Sequence, residues 1–216
     1  MGAHIVTGYA GKEHVTSADA GALNAGIVGS RKYVLKTGNQ FTAEIVSNNL
    51  IKVKSGDLVN QGRHMRIDAN DYEEVTIQNG AQSVKRNDLI VMRYKKDTST
   101  LIETAEIVVI KGTAGSTATD PTYTSGDVLA GATQDDFPLY RVSLNGLNIE
   151  KVTPLFSTVP NLNELNTNMV KYKDYEYKAG VAWRQSAGGL YYYTESVDIP
   201  ENSIVVAIYI IDFVNA

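Results

Sequence analysis

Apolar and polar residues alternate through most of this sequence, in short runs that end at Gly, Asn, Asp or Ser. Alternation with a period of two is typical of strands that bury one face. The predicted strands are Gln40–Ser47, Leu50–Lys54, Arg63–Asp68, Tyr72–Gln78, Asp88–Lys96, Leu101–Lys111, Phe137–Leu144, Leu147–Val152, Leu190–Glu195 and Ser203–Val214. This spacing predicts a mainly β protein, an antiparallel β-sandwich or barrel with one short N-terminal helix, a short helical linker and a small C-terminal β unit.

Polar turns are predicted to join neighbouring strands. Asn48-Asn49 suits a turn because Asn tolerates left-handed backbone angles. Asn79-Gly80 and Asn145-Gly146 are stronger hairpin signals, since a type I′ turn needs positive φ at both central residues. Asp97–Thr100 forms a polar tip between two longer strands. We therefore expect four hairpins along the first 156 residues.

One helix is predicted near the start of the chain, in the run His14–Gly26. Thr16 can cap it, and the carboxylate of Asp19 then faces the free N–H groups of the first turn. Alanines fill the interior, and Gly26 or Gly29 ends the helix. Because its side chains are small, we expect this helix to lie close against a sheet.

The chain is expected to divide into three parts. Residues 1–156 form a β-rich platform domain, residues 157–172 a helical linker or neck, and residues 173–216 a small β unit. A lone unit of fewer than ~70 residues is seldom stable without help, so the last part should pack on the first or on symmetry mates. The polar stretch Gly112–Asp136 is too long for an ordinary hairpin loop. It is either an exposed, partly mobile loop or an arm that reaches a neighbouring subunit.

The linker carries a short apolar seam. Asn161 can cap a helix, with Glu164 three residues later. The seam residues follow at spacings of three, four and three, and they are Leu162, Leu165, Met169 and Tyr172. This is a heptad pattern of about one and a half repeats, and longer repeats are usual for coiled coils. The helix either joins subunits as a neck or packs on its own chain.

Aromatic residues are concentrated in the C-terminal part. It holds the only tryptophan, Trp183, and the run Tyr191-Tyr192-Tyr193, in which Tyr191 and Tyr193 share one face of a strand. Exposed Tyr and Trp can stack on sugar rings and hydrogen-bond at their edges. Trp183, Tyr191 and Tyr193 are therefore the predicted glycan-binding residues, unless these rings form the core and subunit contacts of the small β unit.

Composition excludes several classes of protein. The chain has no cysteine, which rules out disulfides, thiolate zinc sites and cysteine nucleophiles. Its net charge of −4 argues against general nucleic-acid binding, which usually needs a basic face. The longest apolar run, Ile204–Ile211, is well short of a membrane helix, so no membrane insertion is expected.

No catalytic residue, metal site or cofactor is predicted. The histidines are scattered at His4, His14 and His64, and no pair has the spacing of metal ligands on a helix. The carboxylates of Asp135-Asp136 are adjacent and should point to opposite faces of a strand, so they should not converge across a cleft. Lys85-Arg86, beside Asp88, is interpreted as a solvated strand start.

Four runs give the sequence its most specific likeness. They are IVTGYAGKEHVTSADAGALNAGIVGS (Ile5–Ser30), FTAEIVSNNLIKVKSGDLVNQGRHMRI (Phe41–Ile67), TIQNGAQSVKRNDLIVMRY (Thr76–Tyr94) and FPLYRVSLNGLNIEKVTPLF (Phe137–Phe156). Together they resemble the N-terminal module of tail and baseplate structural proteins of siphophages and prophages of Gram-positive bacteria. The resemblance covers about residues 1–156 and implies a platform that attaches to the tail tip.

This resemblance implies a non-catalytic virion protein. The expected partners are further copies of the chain, in a homotrimer, other phage tail or baseplate proteins, and host cell-wall polysaccharide. The expected location is the virion tail or baseplate, and the host cytoplasm during assembly. Two alternatives stay open. One is a bacterial carbohydrate-binding module, which should be a monomer, and the other is a cell-wall polysaccharide hydrolase, which should have converging carboxylates or a metal.

Overall fold

A computed structural model describes Val6, residues 15–168, and the pairs Arg184-Gln185 and Tyr191-Tyr192. The chain divides into two compact units, Met1–Asn163 and Glu164–Ala216. The helices and strands, in chain order, are α1 (Ser17–Val28), β1 (Lys32–Leu35), β2 (Ala43–Ser47), β3 (Leu50–Asn60), β4 (Arg63–Thr76), β5 (Lys85–Lys96), β6 (Glu103–Ile110), β7 (Gln134–Asn145), β8 (Asn148–Pro154), β9 (Thr158–Val159), α2 (Leu162–Asn168), β10 (Arg184–Gln185) and β11 (Tyr191–Tyr192). No helix in this described part is long and apolar enough to cross a bilayer.

The first sheet is built around β3, which is long enough to have two partners on one side. β4 pairs with it along its whole length, antiparallel, with a register shift between Lys54 and Gly56. On the other side, β2 pairs with the first half of β3 and β1 with the second half. β9 adds a short parallel pairing to β1. Residues 158–159 thus belong to the first sheet.

The second sheet has the strand order β6-β5-β7-β8 and is antiparallel throughout. It contains two predicted hairpins, one around the tip Asp97–Thr100 and one around Asn145-Gly146. Both hairpins are confirmed. In the second, however, the predicted type I′ geometry is wrong, because the residues at the tip are Gly146 and Leu147 and only Gly146 has a positive φ, 61°.

The two sheets face each other across one apolar core, as in a β-sandwich. A single cluster of buried residues draws on both sheets, with Ile51 and Leu58 from the first and Ile90 and Leu139 from the second, all fully buried. The mainly β, antiparallel-rich class predicted from the alternation is therefore the class observed. In the unit Glu164–Ala216, β10 and β11 form a two-stranded antiparallel pair.

The predicted hairpin at Asn79-Gly80 is wrong. Arg63–Asp68 and Tyr72–Gln78 are parts of the single strand β4 and its extension, and Asn79-Gly80 lies on the passage to β5 in the other sheet. Neither residue has a positive φ. Glycine is needed at position 80 for a different reason, since a Cβ there would come within 1.9 Å of the Gly146 carbonyl oxygen. The true type I′ pair is Gln61-Gly62, with φ values of 48° and 84°.

The predicted strand Gln40–Ser47 begins later than expected. Alternation places Phe41, Ala43 and Ile45 on one strand face, but β2 starts at Ala43, and Gln40 and Phe41 form a turn with φ values of 52° and 56°. Phe41 is fully buried in the core, whereas Ile45 is 49% exposed. The turn fits because Gly56 lets the chain approach, since a Cβ there would lie 2.6 Å from the Phe41 nitrogen.

The predicted N-terminal helix and its cap are confirmed. Thr16 and Asp19 form a reciprocal capping box, in which the Asp19 N–H donates to the Thr16 hydroxyl and the Thr16 N–H donates to the Asp19 carboxylate. α1 runs to Val28 and ends at Gly29, whose φ is 107°. It lies on the β3–β4 turn, as its small side chains predicted.

Candidate functional site

Two fully buried carboxylates lie next to each other on β7, at Asp135 and Asp136. Asp135 points toward the first sheet. Its carboxylate accepts hydrogen bonds from Lys32 Nζ at 2.8 Å, from Asn60 Nδ2 at 2.7 Å and from the Gly126 N–H at 2.8 Å. The same side chain therefore joins both sheets and the loop before β7. The other polar atom of the Asn60 amide, Oδ1, is buried without a hydrogen-bond partner in the described part of the chain.

Asp136 serves the second sheet instead. Its carboxylate accepts from Arg93 Nε at 2.6 Å, from Arg93 Nη2 at 3.0 Å and from the Thr124 N–H at 3.0 Å. The bond to Asp136 raises the pKa of Arg93 above its ordinary value, against the opposing effect of burial. Adjacent strand residues point to opposite faces, as predicted, so the two carboxylates do not form an acid–base pair.

A third buried ion pair partly corrects the interpretation of the β5 start. Lys85 is exposed, as predicted, but the Arg86 and Asp88 side chains are only 5% and 1% exposed and lie 2.8 Å apart. Arg86 also donates to the carbonyls of Gln78 and Asn79, which lie on the passage between the sheets. Asp88 accepts from the Gly112 N–H at 2.9 Å. Arg86 and Asp88 are buried because residues 77–84, which cross between the sheets, and the long loop both cover them.

These charges hold the long loop, residues 111–133, against its own sheets. Besides the contacts of Gly112, Thr124 and Gly126, Lys85 and Gly115 exchange two backbone hydrogen bonds, and Asp120 binds Arg141. The bond from Arg141 lowers the pKa of Asp120 below its ordinary value. The interpretation of this loop as an arm toward another subunit stays a prediction.

The interior charges can hold the fold rigid, because each carboxylate already accepts several hydrogen bonds in a place where losing a partner is costly. Among the described residues, no group of three or more His, Asp or Glu side chains could hold a metal ion. His64, one of the scattered histidines, lies 2.8 Å from Asp57 at the surface. The candidate functional surface is found elsewhere.

α1 turns its two largest apolar side chains away from the molecule, while Val28 is half-buried. Its one buried residue is Gly21, which lies against the β3–β4 turn, while Leu23 and Ile27 are 59% and 69% exposed. We call Leu23 and Ile27 the α1 face. Polar contacts hold the inner side, where Asn24 Nδ2 donates to the Gly62 carbonyl at 3.0 Å and Arg63 Nη1 donates to the Ser17 carbonyl at 3.1 Å. The helix therefore gains little from apolar burial within its own chain.

The β5–β6 tip is a second exposed apolar surface. Leu101 and Ile102 are 66% and 60% exposed, and Leu101 has a φ of 60°, which is costly for a residue with a Cβ. Asp97 fixes this conformation by accepting hydrogen bonds from Ser99 and Thr100. These bonds lower the pKa of Asp97 to about 2, and the bond from the Ser99 hydroxyl has the largest effect.

Hydrogen bonds to the Glu103 carboxylate hold the tip near the start of α1. Glu103, directly after Ile102, binds Arg63 Nε at 3.0 Å and the Ser17 hydroxyl at 3.1 Å. Strand β6 and helix α1 are thus held together at the N-terminal end of the helix. A contiguous exposed apolar patch is typical of a surface that meets another protein, and the α1 face and the tip are the candidates for such a surface.

The predicted seam is described only in part. Leu162 and Leu165 lie on α2 and are 80% and 47% exposed. Met169 and Tyr172 lie outside the described residues, so the neck stays a prediction. Of the predicted glycan-binding residues, Trp183 and Tyr193 also lie outside, and only the backbone of Tyr191 is described, where it pairs with Gln185.

The sequence contained a signal for the α1 face. In an alanine-rich helix that packs through Gly21, the large residues Leu23 and Ile27 are one turn apart and must point elsewhere. Comparison of the chain with models of protein families, with curated proteins and with solved structures found no match. The resemblance to phage tail proteins therefore stays a prediction from the four sequence runs.

Proposed function

We propose that this chain is a non-catalytic structural protein of a phage or prophage tail or baseplate. It assembles as a homotrimer, joins neighbouring tail or baseplate proteins, and contributes to attachment at host cell-surface glycans. Assembly takes place in the host cytoplasm, and the mature location is the virion. Four sequence runs support the family, and HVTSADAG among them supplies the cap and first turns of α1.

The α1 face is the observation that carries an assembly function. A helix held inward by glycine and polar contacts, with Leu23 and Ile27 outward, gains most of its apolar burial when another molecule covers it. A second copy of the chain is a suitable partner for the α1 face. Asp19 is the one charged residue of α1, and its carboxylate is bound at the helix cap, so two such faces meet without like-charge repulsion.

Rigid interior anchoring also supports a structural function. The buried pairs Arg86–Asp88 and Arg93–Asp136, and the contact of Lys32 with Asp135, fix both sheets and the long loop. A tail component must hold its neighbours at fixed positions, and such anchoring keeps its binding surfaces in a constant geometry.

Attachment by such a protein depends on several copies. Weak single sites for a glycan, of millimolar affinity, gain effective affinity of about 100-fold or more when they act together. Trp183, Tyr191 and Tyr193 remain proposed glycan contacts in the C-terminal unit.

The oligomeric state tests the proposal. Light scattering on the purified full chain should give the mass of a trimer, and mass spectrometry of phage particles from a bacterium that encodes the chain should find it in them. A monomer at micromolar concentration would favour the carbohydrate-binding module instead. Release of reducing ends from cell-wall polysaccharide would favour the hydrolase.

A further inference from the structure

A shallow, open cavity of about 690 Å³ lies between the turn before β2 and the segment that joins β8 to β9. Its volume is within the usual range for small-molecule sites. Both walls belong to the unit Met1–Asn163. None of the lining residues that the structure describes carries a charge.

The floor of this cavity is aromatic and fixed in place. The rings of Tyr140 and Phe156 meet at 90° with centroids 5.6 Å apart. The Tyr140 hydroxyl donates to the Phe41 carbonyl at 2.9 Å, which ties the floor to the turn. Phe156 packs against the core and remains partly exposed, so part of its ring is available to a ligand.

The rim carries polar side chains. Gln40 is half-buried, Ser157 and Thr158 are exposed, and all three residues line the cavity. Gln40 is held there at a φ of 52° by a turn whose Phe41 N–H donates to the Ser55 carbonyl at 3.2 Å. Strained residues of this kind are found preferentially at binding sites.

We propose that this cavity binds a neutral saccharide, with a sugar ring stacked on Phe156 and its hydroxyls bonded to Gln40, Ser157 and Thr158. A sugar ring has an apolar C–H face and a polar edge, which match the floor and the rim. An anionic polymer would find no cation among the described lining residues to compensate its charge. This proposal deepens the proposed attachment function, and it supplies a glycan site in the first unit that is separate from Trp183.

The test is binding of the full chain to glucose, galactose, rhamnose and N-acetylglucosamine, measured by calorimetry and by saturation-transfer NMR. We expect saturable, millimolar binding of at least one sugar. Phe156→Leu keeps an apolar side chain but removes the ring, and should weaken binding about tenfold. Gln40→Gly removes the amide, tolerates the positive φ and leaves the core intact, and should weaken binding about fivefold. Thr104→Ala, an exposed site on β6, is the matched control and should change nothing.

Binding to none of these sugars, binding only to an anionic wall polymer or to peptides, or binding unchanged in both cavity variants would overturn the cavity proposal. Light scattering on the same samples separates it from the proposed function. A monomer that binds through the cavity supports the saccharide site and contradicts the trimer. A trimer without sugar binding contradicts the site alone.

Discussion

Gly62, in the β3–β4 turn, lies directly against Gly21 of α1. A Cβ on Gly62 would come within 2.1 Å of the Gly21 carbonyl oxygen, and Gly62 has a φ of 84°. The contact is backbone against backbone, so no side chain can move aside. A single pair of glycines therefore sets how closely the helix approaches the sheet.

Gly62→Ala should lower the free energy of unfolding by about 2 kcal/mol, because the new methyl group collides with α1 and the left-handed backbone becomes strained. Urea unfolding followed by circular dichroism measures the change. Gly26→Ala on the same helix is the control, since a Cβ there meets nothing within 4 Å. It should stabilise the protein by about 0.5–1 kcal/mol. Equal effects of the two substitutions would contradict the close contact.

The buried carboxylates on β7 should be among the most sensitive positions in the fold. Asp136→Asn removes the charge that pairs with Arg93, and should cost about 3–5 kcal/mol because it leaves the arginine without its counter-ion in a largely buried site. Asp135→Asn should act similarly through Lys32. Urea unfolding gives the values.

Asp68→Asn provides the comparison for these two variants. Asp68 also pairs with an arginine, Arg66, at 2.9 Å, but its side chain is 78% exposed. Its substitution should change stability by less than about 0.5 kcal/mol. Similar costs at Asp68 and Asp136 would show that the interior pairs do not anchor the sheets.

Local sequence signals predicted the parts of the fold that form locally. The tip Asp97–Thr100 forms as expected, and so does the Thr16 cap, because their partners are close in sequence. Asn79-Gly80 has an equally strong local signal, but the chain must cross between sheets at that point. The tertiary requirement overrides the turn propensity, and Gln61-Gly62 makes the type I′ turn instead.

Interior charges and the cavity depend on contacts between distant segments, which one sequence does not reveal. The opposite orientation of Asp135 and Asp136 followed from strand geometry. Their burial did not, because it depends on the long loop folding back to present the N–H groups of Thr124 and Gly126. In the same way, Gln40 and Phe156 are 116 positions apart and share one cavity.

The β5–β6 tip should respond to acid through Asp97. Its pKa of about 2 in the folded state is below the ordinary value of 3.8, because Ser99 and Thr100 donate to the carboxylate. The stabilisation from these bonds is therefore complete above pH ~4 and is lost as the pH falls through about 2. NMR titration of the carboxyl carbon should show this midpoint. Ser99→Ala removes the hydroxyl donor and should move the midpoint toward 3.8, whereas Thr117→Ala, an exposed threonine elsewhere, should leave it in place.

If the subunits assemble through the α1 face, substitutions on this face should reduce the mass measured in solution from that of a trimer to that of a monomer. Leu23→Ser with Ile27→Ser replaces two exposed apolar side chains, so the monomer should keep its fold while the trimer dissociates. Leu147→Ser, at a 48% exposed position in the β7–β8 turn, should leave the mass unchanged. Light scattering at several protein concentrations measures both, and circular dichroism checks the fold.

The predicted neck gives a competing explanation of the same trimer. Leu162→Ser with Leu165→Ser removes the described part of that seam, and both residues are exposed. If this pair of substitutions produces monomers while the Leu23 and Ile27 pair does not, then the subunits meet at the neck and the α1 face is left for a different tail protein. If only the α1 pair produces monomers, the uncharged outer side of α1 is the contact between copies, because each helix then covers on its neighbour the two side chains that its own chain leaves exposed.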